Sequence, residues 1–308
     1  MKNVSQLINV LTIRQENLFE LILIAYKEYV RGYYPDKFIV LKSSNDIKPM
    51  LCIHLDTIND ASDKTPNHTD FVFNPKDNTI RLSRKSKLSC VGGDDRCGVF
   101  IVMYYFAKLI NKYHIGFFCD EEIGGIGSEQ ASKLLNDDSS ISCFIGLDRK
   151  GVDEVATYGY DNEELTQAFV SLGYKEANGT FTDASNLASE GSLACVNISV
   201  GYDNEHTKNE VIYTDVLEAT AKTLLNVTLD SDRYEAEIGY RNGLYSRWYD
   251  EFTTDFYHDK LDTVKEFSYN KLIEQDSLGN CICCGTSNHK RQIISGDVLC
   301  DECLENYF

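Results

Sequence analysis

Four short apolar runs constrain the architecture most. Residues 49–53 (PMLCI), 115–119 (IGFFC), 143–147 (CFIGL) and 193–200 (LACVNISV) lack the strict apolar–polar alternation of a strand with one wet face. Strands of this kind are buried on both sides, as in the interior of a parallel sheet. Stretches with helical character follow them: residues 98–110 (GVFIVMYYFAKLI), 128–137 (SEQASKLLND, with Ser128 placed to cap), 162–174 (NEELTQAFVSLGY) and 213–230. Residues 6–31 carry apolar positions at helical spacing and predict one or two helices. Residues 37–43 (KFIVLKS), 71–74 (FVFN) and 79–83 (TIRLS) predict short strands. Strand–helix alternation implies an α/β fold with a mostly parallel central sheet flanked by helices. In such sheets ligands bind outside the carboxyl ends of the strands.

Chemistry-bearing residues stand at those ends. His54 and Asp56 follow PMLCI. Asp120, Glu121 and Glu122 follow IGFFC. Asp148 follows CFIGL. Glu205 and His206 follow the last run, and Asp94-Asp95 precedes the apolar helix. Three like charges in a row are costly if desolvated, so a bare DEE would read as a solvated turn. The other motifs change that reading. Imidazole nitrogen and carboxylate oxygen are the natural ligands of zinc. His54 and Asp56 are two apart and share one side of a strand, which suits a ligand and the carboxylate that orients it. Two histidines are too few for two separate four-ligand sites but enough for two metals sharing a carboxylate, and two divalent cations would neutralise the acids.

Five motifs in this order, HLDT, GGDDRCGV, DEEIGGIGS, GLD and GYDNEHT, between residues 50 and 225, resemble those of the co-catalytic di-zinc exopeptidases. That clan includes zinc aminopeptidases, peptidase T, carboxypeptidase G and acetylornithine deacetylase, and its fold is the phosphorylase/hydrolase-like sandwich. The resemblance implies two zinc ions. His54 and Asp148 would serve the first, Glu122 and His206 the second, with Asp94 bridging, Glu121 the general base and Asp56 orienting His54. It also implies a cis peptide bond between Asp94 and Asp95. The implied chemistry is hydrolysis of an amide by a hydroxide bridging the two metals, with Glu121 taking and returning the proton. Residues 149–205 are too few for the lid domain that several clan members carry, so a lidless, aminopeptidase-like enzyme acting on small peptides is expected. Two alternatives remain: an amidohydrolase deacylating an N-acyl amino-acid-like metabolite, and a non-catalytic zinc-bearing binding or adaptor protein, to which a general base would be useless. Thr182 and Asp183 either shape the pocket or cap a helix. Arg149 and Lys150 either bind a substrate carboxylate or form a solvated charge pair. His68, His114, His258 and His289 are expected to be surface or structural residues, and Asp120 the acid end of a turn.

The chain divides into a catalytic domain at 1–230, an acidic, aromatic-rich connector at 231–277 and a cysteine module at 278–308. Of 11 cysteines, five fall in the module. Cys281-x-x-Cys284 and Cys300-x-x-Cys303, separated by residues 285–299, have the spacing of a closed four-cysteine zinc site in a small ribbon or treble clef. Cys283 is a competing ligand or a free thiol. The module's charges favour structural stapling or a protein contact over nucleic acid. A net charge of −18 also weighs against nucleic acid for the whole chain. No apolar run approaches the ~20 residues of a membrane helix, and no signal peptide is evident, so a cytoplasmic protein with reduced thiols is expected.

Overall fold

The computed structural model describes residues 3–62, 64–135, 138–189, 192–229 and 233–236, together with the backbone of a hairpin at 291–294 and 297–300. Its strands are β1 (Val30–Tyr34), β2 (Phe38–Leu41), β3 (Lys48–His54), β4 (Phe71–Asn74), β5 (Thr79–Leu82), β6 (His114–Phe118), β7 (Ile141–Arg149), β8 (Glu154–Thr157), β9 (Lys175–Asn178), β10 (Cys195–Ser199), β11 (Tyr202–Asp203), β12 (Val211–Tyr213), and the hairpin pair β13 (Arg291–Ile294) and β14 (Asp297–Cys300). Its helices are α1 (Val4–Thr12), α2 (Gln15–Ala25), α3 (Ile58–Ala61), α4 (Gly93–Tyr104), α5 (Phe106–Leu109), α6 (Ile126–Leu135), α7 (Glu163–Val170), α8 (Asp183–Ser189) and α9 (Thr214–Asn226).

The main sheet has the order β1-β2-β6-β3-β7-β10-β8-β9. Its centre, β6-β3-β7-β10, is parallel throughout, and antiparallel pairs join it to the flanks. The four apolar runs supply these four strands. The fold is therefore the mixed α/β class with a mostly parallel central sheet flanked by helices. Alternation along β3 serves both layers: Leu51 and Ile53 join the core under α1, α4 and α9, whereas Met50 and Cys52 join the core under α6 and α8. Helix α4 is buried almost all round, which explains why its sequence shows no polar stripe.

Local chemistry sets the boundaries. Asn162 caps α7, its side chain accepting from Leu165 N, and Glu163 and Glu164 occupy the positive end. The apolar stretch expected to run unbroken over 98–110 begins earlier, at Gly93, and breaks at Tyr105 into α4 and α5. Ser128 does not cap α6. It lies inside the first turn, and its hydroxyl donates to the Gly125 carbonyl at 3.0 Å. The helical reading of 6–31 gives way at Val30, where the chain enters β1 against β2.

A second, antiparallel sheet of order β11-β12-β5-β4 places the segment between β11 and β12 beside the start of α4. After α9 the chain returns to the main sheet: Tyr234 N donates to Ser142 O at 2.9 Å, and Ala194 N donates to Tyr234 O at 2.8 Å. Among the described residues, no helix is long and apolar enough to cross a membrane.

Candidate metal centre

Because the four central strands run parallel, their carboxyl ends meet on one rim. His54 is the last residue of β3, and Asp56 lies two residues on. The turn after β6 carries Asp120, Glu121 and Glu122. Asp148 is near the end of β7. Asp94 enters from the start of α4, and the peptide bond between it and Asp95 is cis. His206 comes from the turn between β11 and β12, where its φ is 61°.

Asp94 is the centre of the cluster. Its Oδ1 lies 2.9 Å from His54 Nε2, and its Oδ2 lies 3.1 Å from His206 Nε2. Around His54 the group is completed by Asp148 Oδ1 at 3.4 Å, and around His206 by Glu122 Oε2 at 2.9 Å. The two triads, His54–Asp94–Asp148 and Asp94–Glu122–His206, each hold their ligand-type atoms within 4.8 Å of one another and share one carboxylate. The His54 side chain is 1% exposed and that of His206 44%, so the cluster opens on the His206 side.

The tautomer of His54 follows from its neighbours. Nδ1 faces the Asp56 carbonyl at 3.1 Å, which can only accept, so Nδ1 carries a proton and Nε2 is the nitrogen turned toward the cluster. The Asp56 carboxylate has a second task. It accepts the backbone N–H of Glu121 and of Glu122, each at 3.0 Å, and so fixes the turn that carries both glutamates. Asp148 is held by three neighbours. Tyr202 Oη donates to its carbonyl at 2.8 Å, Thr182 Oγ1 donates to its Oδ2 at 3.1 Å, and its N–H donates to Asn197 Oδ1 at 2.9 Å.

No sequence-family model and no curated protein sequence matches this chain. Solved structures do match in shape. A tripeptidase from Staphylococcus aureus superposes with a TM-score of 0.52 at 13% identity, covering 73% of this chain and 96% of that one. A TET aminopeptidase from a marine-sediment Thaumarchaeota archaeon gives 0.52 at 9% identity, covering 75% of this chain and 99% of that one. The fold is one that known peptidases use. At these identities the likeness extends to the fold alone.

The electrostatics of the cluster favour positive charge. Burial disfavours a charged His54, but Asp148, Asp56 and Asp94 outweigh it and push its pKa well above the ordinary value. Hydrogen bonds to Asp94 and Glu122 raise that of His206 to about 10. Burial opposes ionisation of Asp94, yet the two imidazoles win and lower its pKa. Burial together with the charge of Asp94 raises Asp148 to about 6, and burial together with Asp148, Asp183 and Asp94 raises Glu121 to about 10. The imidazoles are thus drawn toward protonation to supply positive charge that the acids require. Glu122 Oε1 is buried without a hydrogen-bond partner.

Other residues singled out in the sequence fall elsewhere. Asp120 turns away, with φ 63°, to pair with Lys37 Nζ at 2.6 Å and Gln15 Nε2 at 3.1 Å. Arg149 pairs with Glu154 at 2.7 Å and Lys150 with Glu205 at 2.6 Å. Asp183 opens α8 but caps nothing: both its oxygens are buried without hydrogen-bond partners. The Phe181 ring lies against Gly125, where an added Cβ would meet it at 2.6 Å, so it walls the DEEIGG turn. His68 is exposed beside Asn9, and His114 is buried at the start of β6, the end of the strand away from the rim. Cys281, Cys283, Cys284, Cys303, His258 and His289 lie outside the described residues, and Cys300 is described only as the last backbone position of β14. Sequence reasoning missed Glu210. Its carboxylate accepts the amides of Gly92 and Gly93, each at 2.7 Å, and its one local signal is its place four residues after His206.

Proposed function

We propose that this chain is a two-zinc amide hydrolase, an aminopeptidase-type exopeptidase acting on small peptides. One observation carries the reading: a single carboxylate, Asp94, lies between two imidazoles with one oxygen toward each. The donor set suits zinc: both imidazoles would ligate in their neutral form, and the Asp56 carbonyl, by holding the Nδ1 proton of His54, leaves Nε2 as the ligating nitrogen. His54, Asp94 and Asp148 would hold one ion, and Asp94, Glu122 and His206 the other. Bound there, such a pair polarises a carbonyl and acidifies water.

The protein's own groups supply the rest. Glu121 belongs to neither triad, yet it sits on the turn fixed by Asp56 and feels the charges of Asp94 and Asp148. With those charges offset by bound cations it would be ionised, able to take the proton of the attacking water and hand it to the leaving amine. Asp56 keeps that turn and the His54 ring in register. Arg149 and Lys150 are both committed to acidic partners, which leaves neither to receive a substrate carboxylate. The acids around the cluster suit a free amino terminus instead. The six described cysteines are unpaired and buried, in keeping with a reducing, cytoplasmic setting. The four cysteines of the tail, at the spacing given above, would hold a structural zinc.

The test uses zinc-loaded protein with amino-acid anilides, dipeptides and N-acyl amino acids. Cleavage of unblocked anilides and dipeptides is expected, and cleavage of N-acyl amino acids alone would make the enzyme a deacylase. Glu121→Gln should keep its metals and lose turnover by roughly 10²–10⁴-fold, the usual worth of a positioned proton-transfer group. Normal turnover by the metal-replete variant would refute the assignment of the base.

A further inference from the structure

We infer that Glu210 is the positioning residue for Asp94, and that it ties the placement of this shared carboxylate to the loop that presents His206. The inference rests on the two-zinc reading above. Glu210 is 1% exposed. Its Oε2 accepts Gly92 N at 2.7 Å, and its Oε1 accepts Gly93 N at 2.7 Å and Asp94 N at 3.3 Å. A buried carboxylate is costly unless hydrogen-bonded, and this one takes its hydrogen bonds from the backbone immediately before and at the bridging residue. The backbone there is built to receive it. Gly92 has φ 81°, in the left-handed region, and a Cβ on Gly93 would lie 2.8 Å from Tyr202 Cβ and 3.0 Å from Glu210 Oε1. The segment from 206 to 210 therefore grips Asp94 twice. His206 Nε2 meets its Oδ2, and Glu210 accepts from its amide. A shift of this segment moves the ligand of one ion and the carboxylate shared by both.

Glu210→Ala removes the acceptor outright. Glu210→Gln keeps the shape but turns an NH2 group toward one of the amides that the carboxylate now satisfies. Zinc affinity is measured on the folded, metal-free full-length proteins by competition with a fluorescent zinc chelator. Thermal unfolding of the same metal-free samples and hydrolysis at limiting and excess zinc are followed in parallel. Losing a group that orients a ligand costs about 10–100-fold in metal affinity. Glu210→Ala should show a loss in that range, Glu210→Gln a smaller one, and excess zinc should restore part of the activity. A merely structural anchor would lower the unfolding temperature and leave zinc affinity unmoved. Folded Glu210→Ala with an affinity within about twofold of wild type would overturn the inference while leaving the two-zinc reading intact. If Glu210→Ala does not fold, Glu210→Gln decides by the same comparison. Wild-type protein that cannot bind a zinc pair at this cluster would overturn the two-zinc reading, and the inference with it.

Discussion

Acid should destabilise this protein through a residue remote from the metal centre, His114. Its ring is fully buried at the start of β6, where Nε2 lies 3.1 Å from the carbonyls of both Asp46 and Ser140. Carbonyls only accept, so Nε2 carries the proton, and Nδ1 is buried with no partner. Protonating Nδ1 would bury a charge and an unmatched donor near Lys42 and Lys48. Burial is the chief cause, with those lysines adding, that lowers the pKa to about 4 from 6.5. The unfolded chain takes up this proton near pH 6.5 and the folded chain only near 4. Between these values the unfolded state holds more protons, so stability present above pH 6.5 is lost as pH falls toward 4. At about 1.4 kcal/mol per pKa unit, the loss attributable to this residue between pH 7 and pH 5 is at most about 2 kcal/mol. Urea unfolding of metal-free protein, followed by circular dichroism at both pH values, measures it. Acids of the metal centre titrate too, so the readout is the difference between wild type and His114→Gln, whose amide can still donate to a carbonyl. Wild type should lose about 2 kcal/mol more than the variant on acidification. Equal losses would refute the reasoning.

Two further outcomes are expected. The purified protein should carry about three zinc ions, an accessible catalytic pair and one in a closed thiolate site. Deleting residues 278–308 should remove one and leave the pair, as metal analysis of both proteins would show; retention of all zinc, or disulfides in the native tail, would defeat the tail assignment. Gly98→Ala sits inside α4, where alanine ordinarily gains about 1 kcal/mol over glycine. Here the new Cβ would lie 2.5 Å from the Leu147 carbonyl and 2.6 Å from the Asp95 carboxylate, so a destabilisation of about 1–3 kcal/mol is expected. A raised melting temperature would show that the close approach is not enforced.

The central sheet was legible because its buried parallel strands leave short, mainly apolar runs, each followed by a stretch of helical character. The site was legible because three of those runs stop at His54, Asp120 and Asp148, and His206 comes six residues after the fourth. The edges were not. Strands β8 (EVAT) and β9 (KEAN) are short, and β9 is mostly exposed at the sheet margin, so packing writes little into their sequences. Val30–Tyr34 directly follows a helical pattern, and only its partner β2 makes it a strand. Glu210 shows the deeper limit. In HTKNEV it reads as one more surface acid of a chain with net charge −18. Its meaning comes from amides 116 to 118 positions away, a relation that no local pattern encodes.

The run Asp120-Glu121-Glu122 joins these two lessons. Residue types and position announced a site, but three adjacent acids cannot all face it, and the sequence does not say which one leaves. The backbone decides. Asp120 adopts φ 63°, a conformation that aspartate tolerates better than most residues, and this sends its carboxylate to Lys37 and Gln15 on the far side of the turn. The two amides that follow then point at Asp56, whose carboxylate binds both. With their backbone pinned, Glu122 reaches His206 at 2.9 Å while Glu121 stands in neither triad. On the proposed two-zinc reading, a fixed peptide between neighbouring glutamates would separate a ligand from a proton acceptor. On that reading the separation would rest on Asp56 and Lys37 as well as on the glutamates, since Asp56 accepts both amides and Lys37 holds the Asp120 carboxylate.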